Sequence, residues 1–479
     1  MRSMLRFSAA LLLLLAISAT GFARGAQSTA RETVNPTPLD TYVYAPDDSY
    51  KFELKATHEL KGCKAYVLDF TSQKWRTPEE IDRTEWKHWL IIYVPEEREG
   101  NTALLVISGG GNDGQGEAPG PSQEIGMVAT GSKSVLAELK QIPNQPLAFK
   151  ADGKPRKEDD FIAYTWKHFM LTGDANLLAR MPMTKASVRA MDAVQEFMAS
   201  GAGGQIAIKD FVVAGASKRG WTTWTTAAVD KRVVGMVPMV IDLLNLVPSF
   251  EHHWSATGEW APAIGNYVEQ GVMDWMGYPE FDAMMKIVDP YNYKDRLTIP
   301  KYLINSAGDQ FFLPDSWKFY WNDLKPAKYL RYVPNTGHGL DISAYFSVTA
   351  FQQAVAWGKP LPEYSWSLDP DGAFHVTAKD KPTAVKLWTA TNPESRVFRI
   401  DVVKEIWQSQ DLEIAADGHY TVKVDLPEKG YTAYFVELTF PGPASFPLIF
   451  TTGVNVIPDT YPFEYKRAPQ PEGGFLSKN

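Results

Sequence analysis

Three residues far apart in the chain, Ser217, Asp309 and His338, are of the types that together perform acyl transfer. A serine hydroxyl is a weak nucleophile until a base takes its proton, and a histidine serves best when a carboxylate fixes its tautomer. Each of the three follows an apolar run. Phe211-Val212-Val213-Ala214 leads into Gly215-Ala216-Ser217-Lys218-Arg219-Gly220. Tyr302-Leu303-Ile304-Asn305 leads into Ser306-Ala307-Gly308-Asp309, and Tyr329-Leu330-Arg331-Tyr332-Val333 into Pro334-Asn335-Thr336-Gly337-His338. Gly-x-Ser between a buried strand and a helix marks a sharp turn that lifts the hydroxyl clear of a sheet. The helix starting there offers backbone N–H groups to a developing oxyanion. The second glycine comes one place late, since Arg219 holds its usual position and Gly220 follows. Asp242 is the rival acid. Asp309 is preferred because small residues precede it, whereas Leu243-Leu244 follow Asp242 directly.

The remaining parts of such a site have candidates. The N–H of Lys218 is one expected oxyanion donor, and the other is expected from Gly110 or Gly111 in Ser108-Gly109-Gly110-Gly111-Asn112, where glycines let the backbone approach a substrate. No lysine follows at phosphate-loop spacing. Arg219, Trp221, Trp254 and Trp260 are candidates for substrate contact, since a pocket walled by tryptophan would use part of a chain with 15 of them. Glu251-His252-His253 with Glu259 lacks metal-site spacing, because adjacent histidines on a helix point different ways. No metal and no cofactor are expected.

These residues need a scaffold. Residues 104–108, 211–214, 233–241, 302–305 and 329–333 are short apolar runs without polar alternation, as in strands buried on both faces. Residues 184–199 and 342–357 repeat apolar positions at helical spacing. Strands alternating with helices give an α/β architecture with a mostly parallel sheet, placed within residues 41–359. Residues 51–55, 65–70 and 88–94 are earlier strands. Residues 248–296 read as an aromatic-rich cap inserted between sheet elements. After Pro360 and Pro362, short strands at 374–377, 384–389, 397–402, 420–424 and 431–440 predict an antiparallel β-sandwich-like domain over 364–457, followed by a tail, 458–479.

Arg2 and Arg6, the apolar run 7–17 and small residues up to Ala23 have the order of a secretory signal peptide over residues 1–23, with Ala26 a second cleavage candidate. The apolar run is too short to span a bilayer. Residues 24–40 read as a flexible lead-in. The expectation is an exported protein, periplasmic or extracellular, without a membrane span. A lone Cys63 forms no intramolecular disulfide, and a net charge of −8 without a basic stripe argues against nucleic acid.

Several stretches together resemble the PhoPQ-activated pathogenicity-related protein family, which includes autocrine proliferation repressor A-like proteins. They are Thr84-Glu85-Trp86-Lys87-His88-Trp89, Ile107-Ser108-Gly109-Gly110-Gly111-Asn112, Ile142-Pro143-Asn144-Gln145-Pro146-Leu147, Gly215-Ala216-Ser217-Lys218-Arg219-Gly220-Trp221-Thr222 and the Asp309 and His338 segments. The family is similar to α/β-hydrolases. The resemblance implies that fold, an exported hydrolase with Ser217, Asp309 and His338 in the matching places, and a link to envelope stress or antimicrobial-peptide resistance. The expected reaction is cleavage of a carboxylic ester or amide, with ester preferred. The substrate would be a small molecule, or an acyl compound derived from peptide or glycan. The alternative is a secreted binding or signalling protein on the same fold without turnover, motivated by the irregular Arg219 and by the autocrine-repressor relatives that the resemblance brings in. A third reading has the C-terminal β domain docking onto glycan or a partner.

Overall fold

Nine strands rich in Val, Ile, Leu and Tyr form the central sheet: β1 Lys51–Leu60, β2 Cys63–Lys74, β3 Glu85–Pro95, β4 Thr102–Ile107, β5 Leu136–Leu139, β6 Asp210–Ala216, β7 Val233–Met239, β8 Lys301–Ser306 and β9 Lys328–Val333. The computed structural model describes residues 29–32, 35–112 and 117–477, so the expected signal peptide and both cleavage points lie outside them. Strand order is β1-β2-β3-β5-β4-β6-β7-β8-β9. The first three strands pair antiparallel, as do β3 and β5, while β5, β4, β6, β7, β8 and β9 run parallel. Every residue of β8 is buried, as the absence of polar alternation predicts. The fold is that of the α/β-hydrolases.

This order does two things for the site. From β4 the chain goes to β5 on one side and later to β6 on the other. The carboxyl ends of β4 and β6 therefore flank a switch point, where open α/β sheets bind ligands. Ile107 at the end of β4 pairs with Gly215 near the end of β6, which sets the glycine loop beside the Ser217 turn. At the other side Ser306 pairs with Val333, which sets the loops carrying Asp309 and His338 next to each other.

The insertion between β7 and β8 is helical, with helices Leu246–Thr257, Gly265–Glu269 and Pro279–Val288 joined by short 3-10 turns. Beyond the sheet, the C-terminal region forms a three-stranded and a five-stranded antiparallel sheet. Phe374, Tyr420, Tyr434 and Phe440 from the two sheets share one core with Tyr302 and Phe351 of the α/β part. Strand Leu448–Thr451 lies against the sheet edge, where Tyr332 N–H donates to Thr451 Oγ1 at 3.1 Å.

Two expectations need correction. Residues 397–402 are not a strand: they form a loop that enters a one-turn helix, Ile400–Val403, packed on the Asp309 and His338 loops. Residues up to 40 are not all a loose lead-in, since Thr37 caps helix Pro38–Tyr44 and Asp40 pairs with Arg296 at 2.8 Å. The tail also has partners. Tyr278 Oη donates to Ala468 O at 2.8 Å and Ser477 Oγ to Glu280 Oε1 at 2.8 Å, fastening it over the cap. No helix among the described residues is long and apolar enough to cross a membrane.

Candidate active site

Ser217 sits between β6 and helix Lys218–Val229 with φ 56° and ψ −126°. A non-glycine residue there carries backbone strain of about 1–3 kcal/mol, and surrounding structure must hold it. Its N–H donates to Met239 O of β7 at 2.8 Å, and its carbonyl accepts from Trp221 N–H at 2.9 Å. The side chain makes no capping hydrogen bond to the helix it precedes. Two glycines permit the turn. A Cβ on Gly215 would stand 2.6 Å from Arg219 O, and one on Gly220 would stand 2.9 Å from Met239 O. The displaced second glycine thus still meets the requirement for close approach.

Arg219 does not crowd the turn, because its side chain folds away over Gly109, where a Cβ would lie 2.8 Å from the guanidinium. Its Nε donates to Ile142 O at 2.5 Å, and Nη2 pairs with Glu158 Oε1 at 2.6 Å. Lys218 is buried and places its ammonium 3.0 Å from both Glu158 and Asp159. Glu158 also accepts from Gln145 Nε2 at 2.6 Å, and its own N–H donates to Gln145 Oε1 at 2.7 Å. Desolvation would raise the Glu158 carboxyl, but Arg219, Lys218 and Gln145 together bring it down to about 2.

That network reaches the glycine loop. Gln145 Nε2 donates to Gly110 O at 3.1 Å, Gln141 Nε2 to Gly111 O at 3.1 Å, and Gln141 N–H to Gly109 O at 2.8 Å. Of the three glycines, Gly109 lines the cleft shared by Ser217 and His338; Gly110 and Gly111, the two expected there, do not. Glu158, Gln141 and Gln145 were not anticipated from sequence. The one available signal was Glu158-Asp159-Asp160 opening a helix, which reads as ordinary dipole compensation.

On the other side, His338 Nδ1 lies 2.9 and 3.0 Å from the two Asp309 oxygens. With Nδ1–H donated there, Nε2 is left as the ring's acceptor. Asp309 is buried at 4% side-chain exposure, and His338, at 22%, is open to the cleft. The loops are tied together: His338 N–H donates to Gln310 Oε1 at 2.7 Å and Ser306 Oγ to Thr336 O at 2.6 Å. The C-terminal region closes over them. Ile400 N–H donates to Gly308 O at 3.0 Å, while Asn335 exchanges two 2.9 Å hydrogen bonds with the backbone of Trp407.

The rival Asp242 is elsewhere engaged. Its oxygens bond Tyr320 and Tyr332, and burial pushes its carboxyl up to about 8, so it is protonated at neutral pH. Trp221 lines a second cavity at Ser217, with its indole N–H on Val288 O at 2.6 Å. Trp254 and Trp260 line neither cavity at Ser217. They pack on each other at 4.9 Å and against Tyr465 of the tail, because the tail covers that side of the cap. His252 turns to Asp315 at 2.9 Å and His253 accepts from Ala261 N–H at 3.2 Å, so the two rings diverge. No group of three or more metal-ligating side chains occurs among the described residues.

The sequence model of the PhoPQ-activated pathogenicity-related protein family matches residues 39–399. The chain belongs to this family. A curated relative, autocrine proliferation repressor protein A of Dictyostelium discoideum, is 40% identical over 458 residues, covering 89% of this chain and 92% of that protein. Among solved structures, this PhoPQ-related chain is similar to acetyl xylan esterase 1 from Thermoanaerobacterium sp. JW/SL YS485, at 16% identity and TM-score 0.46 over 67% of this chain and 94% of that one. It is also similar to the acetyl xylan esterase from Paenibacillus sp. R4, at 14% identity and TM-score 0.45 over 68% and 97%.

Proposed function

We propose that this chain is an exported serine hydrolase that cleaves carboxylic esters through an acyl-enzyme on Ser217. The observation that carries the reading is the Asp309–His338 pair, with Nδ1 held at 2.9 Å and the ring opening onto the cleft that Ser217 also lines. Ser217 Oγ attacks the carbonyl carbon while His338 Nε2 takes its proton. The imidazolium that forms is stabilised by Asp309, and the tetrahedral oxyanion accepts hydrogen bonds from the N–H groups of Lys218 and of the loop at Gly109. On collapse the carbon–oxygen bond to the alcohol breaks, and His338 gives its proton to the leaving oxygen. Water, deprotonated by His338, then attacks the acyl-enzyme and releases the acid. Esters are favoured over amides because no peptide-binding module is evident around the cleft among the described residues.

The reading without turnover has two motives, Arg219 and the autocrine-repressor relatives; the accommodation of the Arg219 side chain over Gly109 weakens the first and leaves the second. Export rests on residues 1–23, and amino-terminal sequencing of the secreted protein checks it. The link to envelope stress rests on the family's name, and survival of a deletion strain under antimicrobial peptides checks that. The activity test is turnover of p-nitrophenyl esters by wild type and Ser217→Ala. A fall of about 10⁴-fold or more in kcat is expected, and a variant that keeps wild-type turnover contradicts the assignment.

A further inference from the structure

Two helices begin beside Ser217, and both begin with cations. Helix Lys218–Val229 opens with Lys218 and Arg219, helix Arg180–Ala199 opens with Arg180, and neither has an acidic residue in its first turn. The positive end of a helix favours anions and disfavours cations. Lys218 and Arg219 are compensated by Glu158 and Asp159. Arg180 is not: it is 4% exposed and forms no ion pair among the described residues. A buried charge without a partner is costly, and here three cations face two carboxylates.

The contacts that Arg180 does make leave part of its guanidinium unused. Nη1 donates to Lys218 O at 2.9 Å, and the guanidinium lies over the Trp221 ring at 4.5 Å. Tyr267 stands beside it, but Tyr267 Oη donates to Asp159 at 3.1 Å. Nε is buried and has no hydrogen-bond partner. Burial pulls the guanidinium below its ordinary value, against the opposing pull of Tyr267 and Asp159. With Ser217, Trp221 and Tyr267, Arg180 lines the second cavity, whose free space is about 40 Å³. That is room for about three water-sized groups, the size of a carboxylate, and not for a chain. His338 lines the cleft and not this cavity, and His338 must reach the leaving oxygen. The cavity therefore lies on the acyl side of the ester.

We propose that Arg180 is a substrate-binding residue and that the substrates are esters whose acid half carries a second carboxylate, seated on the Arg180 guanidinium. This rests on Ser217 being the nucleophile. Ser217 takes the acyl group, the alcohol leaves with the proton from His338, and water releases a dicarboxylic acid. The arriving carboxylate supplies the negative charge that the two helix starts lack.

The test uses the full-length protein with methyl esters matched in size: anionic monomethyl succinate, its neutral amide methyl succinamate, and cationic methyl 4-aminobutanoate. Hydrolysis is followed by acid release, with fluorophosphonate labelling of Ser217 in parallel. We expect kcat/KM for the anionic ester to exceed that for the neutral one by about ten- to a hundredfold, with the cation slowest. Arg180→Met should bring that ratio to about one, and Arg180→Lys should reduce it without reversing it. Each ratio is internal to one preparation, so a partial loss of folded protein does not move it. Labelling of Ser217 without preference for the anionic ester, or without turnover of any of these esters, overturns the carboxylate assignment alone. An undiminished preference in a folded Arg180→Met variant overturns it too. Neither labelling nor turnover would overturn the serine-hydrolase reading, and the carboxylate assignment with it.

Discussion

The proposed nucleophile and the proposed acid–base pair are supported in different ways. Ser217 stands on one strand–turn–helix unit whose parts are contiguous in sequence, and Glu158 braces it through Lys218 and Arg219. Asp309 and His338 stand on two neighbouring strand ends, and what packs over them comes from residues 400–407, after the whole sheet has been built. The difference teaches that the C-terminal region is part of the support of the site. It also explains why nine strands and a cap would leave His338 without its outer brace.

The comparison can be broken or sharpened by substitution. The largest effect is expected from the carboxylates. Asp309→Asn should lower kcat by about 10⁴-fold, because the wrong imidazole tautomer then faces the serine. Asp242→Asn should change kcat by no more than about threefold, since its oxygens serve two tyrosines. Equal losses on p-nitrophenyl butyrate would mean that the acid has been misassigned.

Next comes Glu158→Gln, which leaves two cations beside Ser217 with weaker compensation. A loss of about ten- to a hundredfold in kcat with little change in KM is expected, as for a blunted oxyanion site. Its pH behaviour has a definite sign. A carboxyl depressed to about 2 contributes stability that is present above its unfolded value near 4.5 and lost as pH falls toward 2. The stability gap between wild type and variant, read by chemical denaturation, should therefore close across that window.

On the other side, Asn335→Ala removes both hydrogen bonds to Trp407. About 1–3 kcal/mol of stability and about tenfold in kcat should go with them. Hydrogen exchange should quicken in residues 334–340 and stay unchanged in 215–221, whereas Glu158→Gln should do the reverse. Loosening of both segments by either change would show that the two supports are one. The smallest effect concerns Asp242, whose carboxyl is raised to about 8. Its contribution to stability is complete below about pH 4 and is lost as pH rises toward 8, so Asp242→Asn should flatten the decline in that range.

The same division governs what could be read from sequence. The Ser217 turn was legible because strand, small residues, serine and helix are consecutive, and the Asp309 and His338 segments repeat that local logic. Strand β5, Leu136–Leu139, was missed: four residues carry no periodicity, and its identity comes from pairing with β3 and β4. Residues 397–402 have the composition of a strand, but docking on Gly308 and Gly337 bends them into a loop and one helical turn. Glu158 was invisible as a brace because its partners Lys218 and Arg219 lie some sixty residues on, a proximity created by the sheet. Trp254 and Trp260 have the chemistry of a pocket wall, yet the tail claims them.

The central claim is that Ser217 becomes covalently acylated with the help of His338. Intact-mass and peptide mapping after treatment with a fluorophosphonate tests it directly. The account predicts one adduct on the wild-type protein, located on Ser217, and its loss in His338→Ala. An adduct on another residue, or undiminished labelling in a folded His338→Ala variant, would contradict it.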